Sequence, residues 1–94
     1  MKILYKLSKI ILRMSNLDLY KNIFIEALGI EEKSFSEEIK YNEIPEWDSI
    51  AHMTLVSALE EKFNISFEVD DIIAFSSYVK GQEILKEKYK VSFN

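Results

Sequence analysis

Ninety-four residues leave room for one domain with a single modest core, of which folding buries only about two-thirds of the extended surface; with no cysteine and one histidine, disulfides, thiolate metal sites and multi-histidine clusters are excluded. The formal net charge of −4 is unevenly spread, because residues 1–16 hold Lys2, Lys6, Lys9 and Arg13 and no carboxylate, while all sixteen carboxylates face eight lysines in the rest. An acidic body repels a phosphate backbone, which argues against nucleic acid and for a protein partner with a basic patch.

No apolar run approaches the roughly 20 residues of a membrane span, and the start lacks the uninterrupted apolar segment and small-residue cleavage site of a secretory signal, so the expected location is cytoplasmic. The first segment, Lys2 to Met14, has a helical pattern with Ile3, Leu7, Ile10 and Met14 on one face, Leu4 and Ile11 beside it, and the basic residues elsewhere. Three readings stay open for it. It is an extra helix on its own domain or a partly disordered leader; or a membrane-surface helix, short and without tryptophan; or a docking or self-association helix. Ser15-Asn16 interrupts the pattern, which divides the chain into a basic extension, 1–16, and a helical domain, 17–94.

Asn16 or Asp18 is suited to cap a helix running to Leu28, with Leu17, Tyr20, Phe24, Ala27 and Leu28 as apolar contacts and Ile23 widening the face. Gly29 ends it, since glycine enters the left-handed C′ position without a side-chain penalty. Ile30 to Trp47 then carries Ile30, Phe35, Ile39, Tyr41 and Ile44 at irregular intervals among many charged residues, which reads as a long surface loop with one turn of helix. It exceeds the usual connection of about 4 to 6 residues, and a loop that spans the domain would let the two flanking helices run nearly parallel.

The central element follows Pro45-Glu46. Ile50, Met53, Val56, Leu59 and Phe63 recur at three- and four-residue spacings, with Leu55 widening the stripe, so this helix is expected to bury that broad face. Pro45 holds Ile44 extended, and Asp48 is placed to accept from the unpaired N–H groups of the first turn. Ser49 then sits where free N–H groups and the helix dipole favour an anionic group such as a phosphate. Beyond Phe63, Asn64 is a terminator, and Ile65-Ser66-Phe67 is a connector whose apolar residues plug the core edge. Asp70-Asp71 open a brief helical segment containing Ile72, Ile73 and Phe75. Glu68, Asp70 and Asp71 lack the alternating donors, glycine turn and closing glutamate of a calcium loop, so no metal site is expected. Ser76 or Ser77 caps the last helix, in which Tyr78, Val79, Ile84, Leu85, Tyr89 and Val91 supply the inner surface; Gly81 costs about 1 kcal/mol there relative to alanine unless close packing demands it.

Asp48-Ser49-Ile50, Leu55-Val56, Leu59-Glu60-Glu61, Phe63, Ile65 and Phe67 together resemble the signature of acyl carrier and peptidyl carrier proteins, over roughly Leu17 to Tyr89. The resemblance implies an all-α, acyl-carrier-like, right-handed bundle of three long helices plus one short one, to which this chain adds the N-terminal amphipathic helix. It implies that Ser49 bears a covalent 4′-phosphopantetheine derived from coenzyme A, with Asp48 and Ile50 capping the helix and recognised by a phosphopantetheinyl transferase. The arm would hold acyl or aminoacyl cargo for a loading enzyme and a downstream synthase or transferase. Trp47, His52, Met53, Thr54, Glu60 and Glu61 are the expected partner-docking residues. Phe24, Ile50, Met53, Val56, Leu59, Ile73 and Tyr78 are candidates to line an interior cargo space, with plain core packing as the other reading. Typical carriers begin near Leu17, so the basic extension is a departure. Ala51, His52 and Thr54 make the docking helix less acidic than in fatty-acid carriers, which favours a dedicated carrier of specialised metabolism.

A catalytic reading fails on inventory. Ser49 and His52 share a helix face, but a nucleophile also needs an oriented base and an oxyanion site, and Asp48 is used as the cap. The remaining alternative is a non-catalytic helical interaction module without the arm, using the Tyr41 to Phe63 surface.

Overall fold

The computed structural model describes residues 15–93, within which the chain forms α1 (Asn16–Leu28), a 3-10 turn (Glu32–Ser34), α2 (Ser49–Phe63), α3 (Val69–Ala74) and α4 (Tyr78–Lys88). The helix expected over residues 2–14, with its membrane and docking readings, lies outside the described residues. The all-α bundle of three longer helices and one short one is as anticipated. The extended backbone among the described residues pairs only as one isolated antiparallel bridge, Lys40 to Ser77.

The three longer helices each begin on a side-chain cap, whereas α3 starts at Glu68 without one. Ser15, in extended backbone, accepts from the Asp18 N–H at 3.1 Å and is the cap of α1; Asn16 and Asp18, the expected caps, already lie inside the helix. Gly29 at φ 64° and Asn64 at φ 53° close α1 and α2 in the left-handed region. Ser77 caps α4 by accepting from Lys80 N–H at 2.9 Å.

The two helices flanking the long loop run in opposite senses, not parallel. Phe24, late in α1, packs edge-on against Trp47 just ahead of α2, while Tyr20 meets Phe93, which touches Phe63 at the far end of α2. Asn16 also donates to the Ser92 carbonyl at 2.8 Å. The loop between Gly29 and Asp48 is therefore not a bridge along the bundle. It crosses the end where α2 and α4 begin: Tyr78 N–H donates to the Ile39 carbonyl at 3.1 Å, Tyr41 N–H to Ser76 at 2.9 Å, and Phe35 packs on Tyr78. Its buried residue Ile39 and half-buried Phe35 and Ile44 make it a cover over that end of the core.

Aromatic rings dominate the interior, where Trp47, Tyr20, Tyr78, Phe24 and Phe75 are all essentially inaccessible. Fully burying such a side chain stabilises by about 1.5–3 kcal/mol. The Tyr20 hydroxyl donates to the Tyr78 carbonyl at 2.6 Å, and burial, then the Glu37 and Asp18 carboxylates, push the Tyr78 phenol up to about 12. The buried stripe of α2 is His52, Leu55, Val56 and Leu59; the last three are as expected and Phe63 is half-buried, but Ile50 is 78% and Met53 51% exposed, and His52 takes the inner place ahead of them. The three- and four-residue spacing places Ile50 and Met53 at the edge of the stripe as well as His52, and tertiary packing covers the His52 edge. Val79, expected on the inner face of α4, is likewise exposed.

Gly81 is buried where α4 crosses the Phe75 ring and the Tyr20 hydroxyl, both of which a Cβ would strike. Gly81→Ala should lower stability, since overpacking costs about 1–3 kcal/mol and outweighs the roughly 1 kcal/mol gained in helix propensity. A urea midpoint at or above that of the native chain would refute this close approach.

Asp71 is buried at the start of α3 and accepts from Lys88 Nζ and the Tyr89 hydroxyl, each at 2.6 Å. Those two hydrogen bonds, Lys88 first, hold its carboxyl below the usual range, and Asp71 in turn raises Lys88. A carboxylate with a depressed folded pKa contributes stability that is full above its unfolded value of about 3.9 and is lost as pH falls through the folded value. Asp71→Asn should therefore lower the urea midpoint at neutral pH, and the gap to the native chain should close as pH drops below about 4. A gap independent of pH would show that the ion pair is not its source.

Candidate functional site

The site is built at the point where the loop hands over to α2. Trp47 N–H donates to the Ile44 carbonyl across Pro45-Glu46 at 3.1 Å, and Asn42, at φ 65°, donates to the Trp47 carbonyl at 3.0 Å, so the chain arrives in a pinned turn. Asp48 is extended; its Oδ1 accepts from Ala51 N–H at 2.8 Å and its carbonyl from His52 N–H at 2.9 Å. Ser49 is then the first residue of a fifteen-residue helix, exposed to solvent. It shares a shallow, open depression with Ile50, Met53, Thr54 and Ser57. Beyond the Asp48 cap, which engages the Ala51 N–H, no carboxylate stands in the first turn of α2, so part of the positive helix end remains beside Ser49. That arrangement suits a phosphate ester on Ser49: its charge would meet free N–H groups, and nothing obstructs a long substituent.

Beneath it lies a polar connection inside the core. The Trp47 indole Nε1–H donates to His52 Nδ1 at 3.0 Å, and His52 Nε2 lies 2.9 Å from the Ile72 carbonyl. An indole N–H only donates, so Nδ1 must accept and the ring proton sits on Nε2, donating to Ile72. This joins the turn before Ser49, the first turn of α2 and α3. Trp47 and His52, expected from the sequence as docking residues, are core residues with 0% and 9% exposure: Trp47 is enclosed, and His52 reaches only the wall of a small cleft. A Trp-His pair five residues apart is a signal that periodicity overlooks, because it counts histidine as polar.

The other anticipated residues fall into two groups. Met53 and Thr54 are exposed on α2, as is Glu61, while Glu60 is half-buried and its carboxylate accepts from Phe67 N–H at 2.8 Å. Of the candidates for a cargo space, Phe24, Val56, Leu59 and Tyr78 are packed in the core, whereas Ile50, Met53 and Ile73 are on the outside, so the seven do not surround one space. Ile50 and Met53 flank Ser49 instead. A small cleft of about 260 Å³ opens nearby between α2 and α3, lined by Tyr41, His52, Ile72, Ile73, Phe75 and Ser76. Of these, His52 and Ile73 are expected site residues and Tyr41 bounds the expected interaction surface. Among the described residues no group of three or more His, Cys, Asp or Glu could hold a metal ion, and Asp71 is occupied by Lys88 and Tyr89.

Residues 21–79 match the family model described as the phosphopantetheine attachment site. The chain belongs to the phosphopantetheine attachment family. The match covers well over half the chain and takes in the turn, the Asp48 cap, Ser49, α2 and α3, and it agrees with the acyl and peptidyl carrier resemblance. No curated protein and no solved structure matches the chain. A phosphopantetheine attachment domain is a carrier-type module, not an enzyme in its own right.

The Trp47–His52–Ile72 connection makes a stability claim. His52→Leu, similar in bulk, would strand the indole N–H and the Ile72 carbonyl, each costing about 1–3 kcal/mol when buried without a partner. The expected loss is about 2 kcal/mol or more in urea unfolding followed by the fluorescence of Trp47, the single tryptophan. An unchanged midpoint would mean that water or a repacked side chain satisfies both groups.

Proposed function

We propose that this protein is a carrier whose Ser49 hydroxyl bears 4′-phosphopantetheine and which presents acyl or aminoacyl cargo to partner enzymes in the cytoplasm. The observation that carries the reading is an exposed serine at the first residue of α2, capped by Asp48, within the matched attachment-site region. Attachment is performed on the chain by a phosphopantetheinyl transferase. The Ser49 oxygen attacks the pyrophosphate of coenzyme A; the Oγ–P bond forms as the bond to the adenosine-side phosphate breaks, and the hydroxyl proton passes to a base of the transferase. When bound, the group supplies a terminal thiol that holds cargo as a thioester.

The chain's own residues have static tasks. Asp48 fixes the start of α2, Trp47 and His52 hold that start against α3, and the free N–H groups of the first turn face the phosphodiester. Exposed Ile50, Met53 and Thr54 beside the serine offer a mixed apolar and hydroxyl surface, with Ala51 half-buried among them and Glu61 farther along. A first half of α2 without carboxylates favours partners less basic than those of an acidic docking helix, which supports a dedicated carrier in a specialised pathway over a general fatty-acid one.

Incubation of the full chain with coenzyme A and a broad-specificity phosphopantetheinyl transferase should raise its intact mass by one phosphopantetheine group. Ser49→Ala should abolish the increase while leaving helicity unchanged. A folded native sample that several competent transferases leave unmodified would replace this function with that of an interaction module without the arm.

A further inference from the structure

The space that an interior cargo would need is taken by aromatic side chains. Behind the cleft between α2 and α3, His52 packs against Tyr41 at 5.1 Å and Phe75 at 5.8 Å between ring centroids. The second row is Trp47 and Phe24, 5.2 Å apart, with Phe24 also against Phe75 at 6.0 Å and Tyr78 at 5.0 Å. These rings form a continuous wall from the cleft to the far side of the core, and Trp47, Phe24, Phe75 and Tyr78 are each at most 1% exposed.

The wall is also held by hydrogen bonds. Moving Trp47 or His52 aside breaks the indole-to-imidazole bond or the bond to the Ile72 carbonyl, and every buried side-chain nitrogen and oxygen among the described residues has a partner as the core stands. Displacing an aromatic ring from a close-packed interior also forces its neighbours off their rotamers. An alkyl chain turning inward from Ser49 would therefore stop at the cleft.

We propose that this carrier does not shelter its cargo inside the bundle, and that its cargo class is aminoacyl or short, polar acyl groups held outside, where they need no apolar cover. A long alkyl chain left outside would add to an already apolar surface of exposed Ile50, Met53, Val69 and Ile73. The inference rests on the attachment of the arm to Ser49 proposed above.

The test is to load the full native chain with a transferase from coenzyme A and from its acetyl, butyryl and octanoyl thioesters. Thermal unfolding and the rate of thioester cleavage by hydroxylamine are then compared. All four forms are expected to melt at the same temperature, and the three thioesters to be cleaved at the same rate. Chain burial would instead raise the folded-to-unfolded ratio about fourfold per methylene and slow cleavage as the chain lengthens, and that outcome overturns the proposal while leaving the arm on Ser49 intact. Failure of coenzyme A itself to load would overturn the Ser49 reading, and this inference with it.

Discussion

The hydrogen-bonded line from the Trp47 indole through His52 to the Ile72 carbonyl is the constraint on which the rest of the site depends. It is made of three groups that would each be costly to bury alone, brought together so that none is left unpaired. The turn that delivers the chain to α2 cannot shift without disturbing it, and neither can the first turn of the helix. Ser49 is two residues from Trp47 and three from His52, so its position is set by core packing even though its own side chain lies in solvent. An exposed serine thus acquires a fixed backbone without needing contacts of its own.

Helix α3 has six residues, too few to be stable by itself. It is tied on both sides: its Ile72 carbonyl to α2 through His52, and its Asp71 carboxylate to α4 through Lys88 and, just beyond, Tyr89, whose hydroxyl also accepts from Glu68 N–H at 2.9 Å. Because the two ties use different chemistry, a neutral ring on one side and an ion pair on the other, they respond differently to solvent conditions. The cleft between α2 and α3 is the gap between the first of these ties and the loop residue Tyr41.

Aromatic packing joins these local devices into one core. Gly81 lets α4 approach Phe75 and Tyr20, Phe75 backs His52, and Phe24 bridges Trp47 to Tyr78. The long loop contributes Ile39 and Phe35 as a cover over the same end, so the site rests on residues from nearly every part of the described chain. Such a core is rigid at the serine end. Around Ser49 it leaves an open, shallow surface over a filled interior.

The sequence by itself determined the features governed by nearest neighbours along the chain. The Asp48 cap, the left-handed closures at Gly29 and Asn64, the short helix at Asp70-Asp71 and the exposed Ser49 at the start of a helix all follow from backbone preferences and helix-end chemistry. The run from Asp48 to Phe67 also carried the family. Only the tertiary structure decided that the edge of the α2 stripe bearing His52 is covered and the edge bearing Ile50 and Met53 is not, because a helical period specifies spacing but not how far neighbouring elements reach around the helix. The same holds for the antiparallel course of α1 and α2, since loop length limits a connection without choosing its route. Trp47 and His52 moved from the expected surface to the core for a related reason. A polar ring is buried cheaply only when a donor and an acceptor from distant residues meet it, and that meeting exists only in the fold.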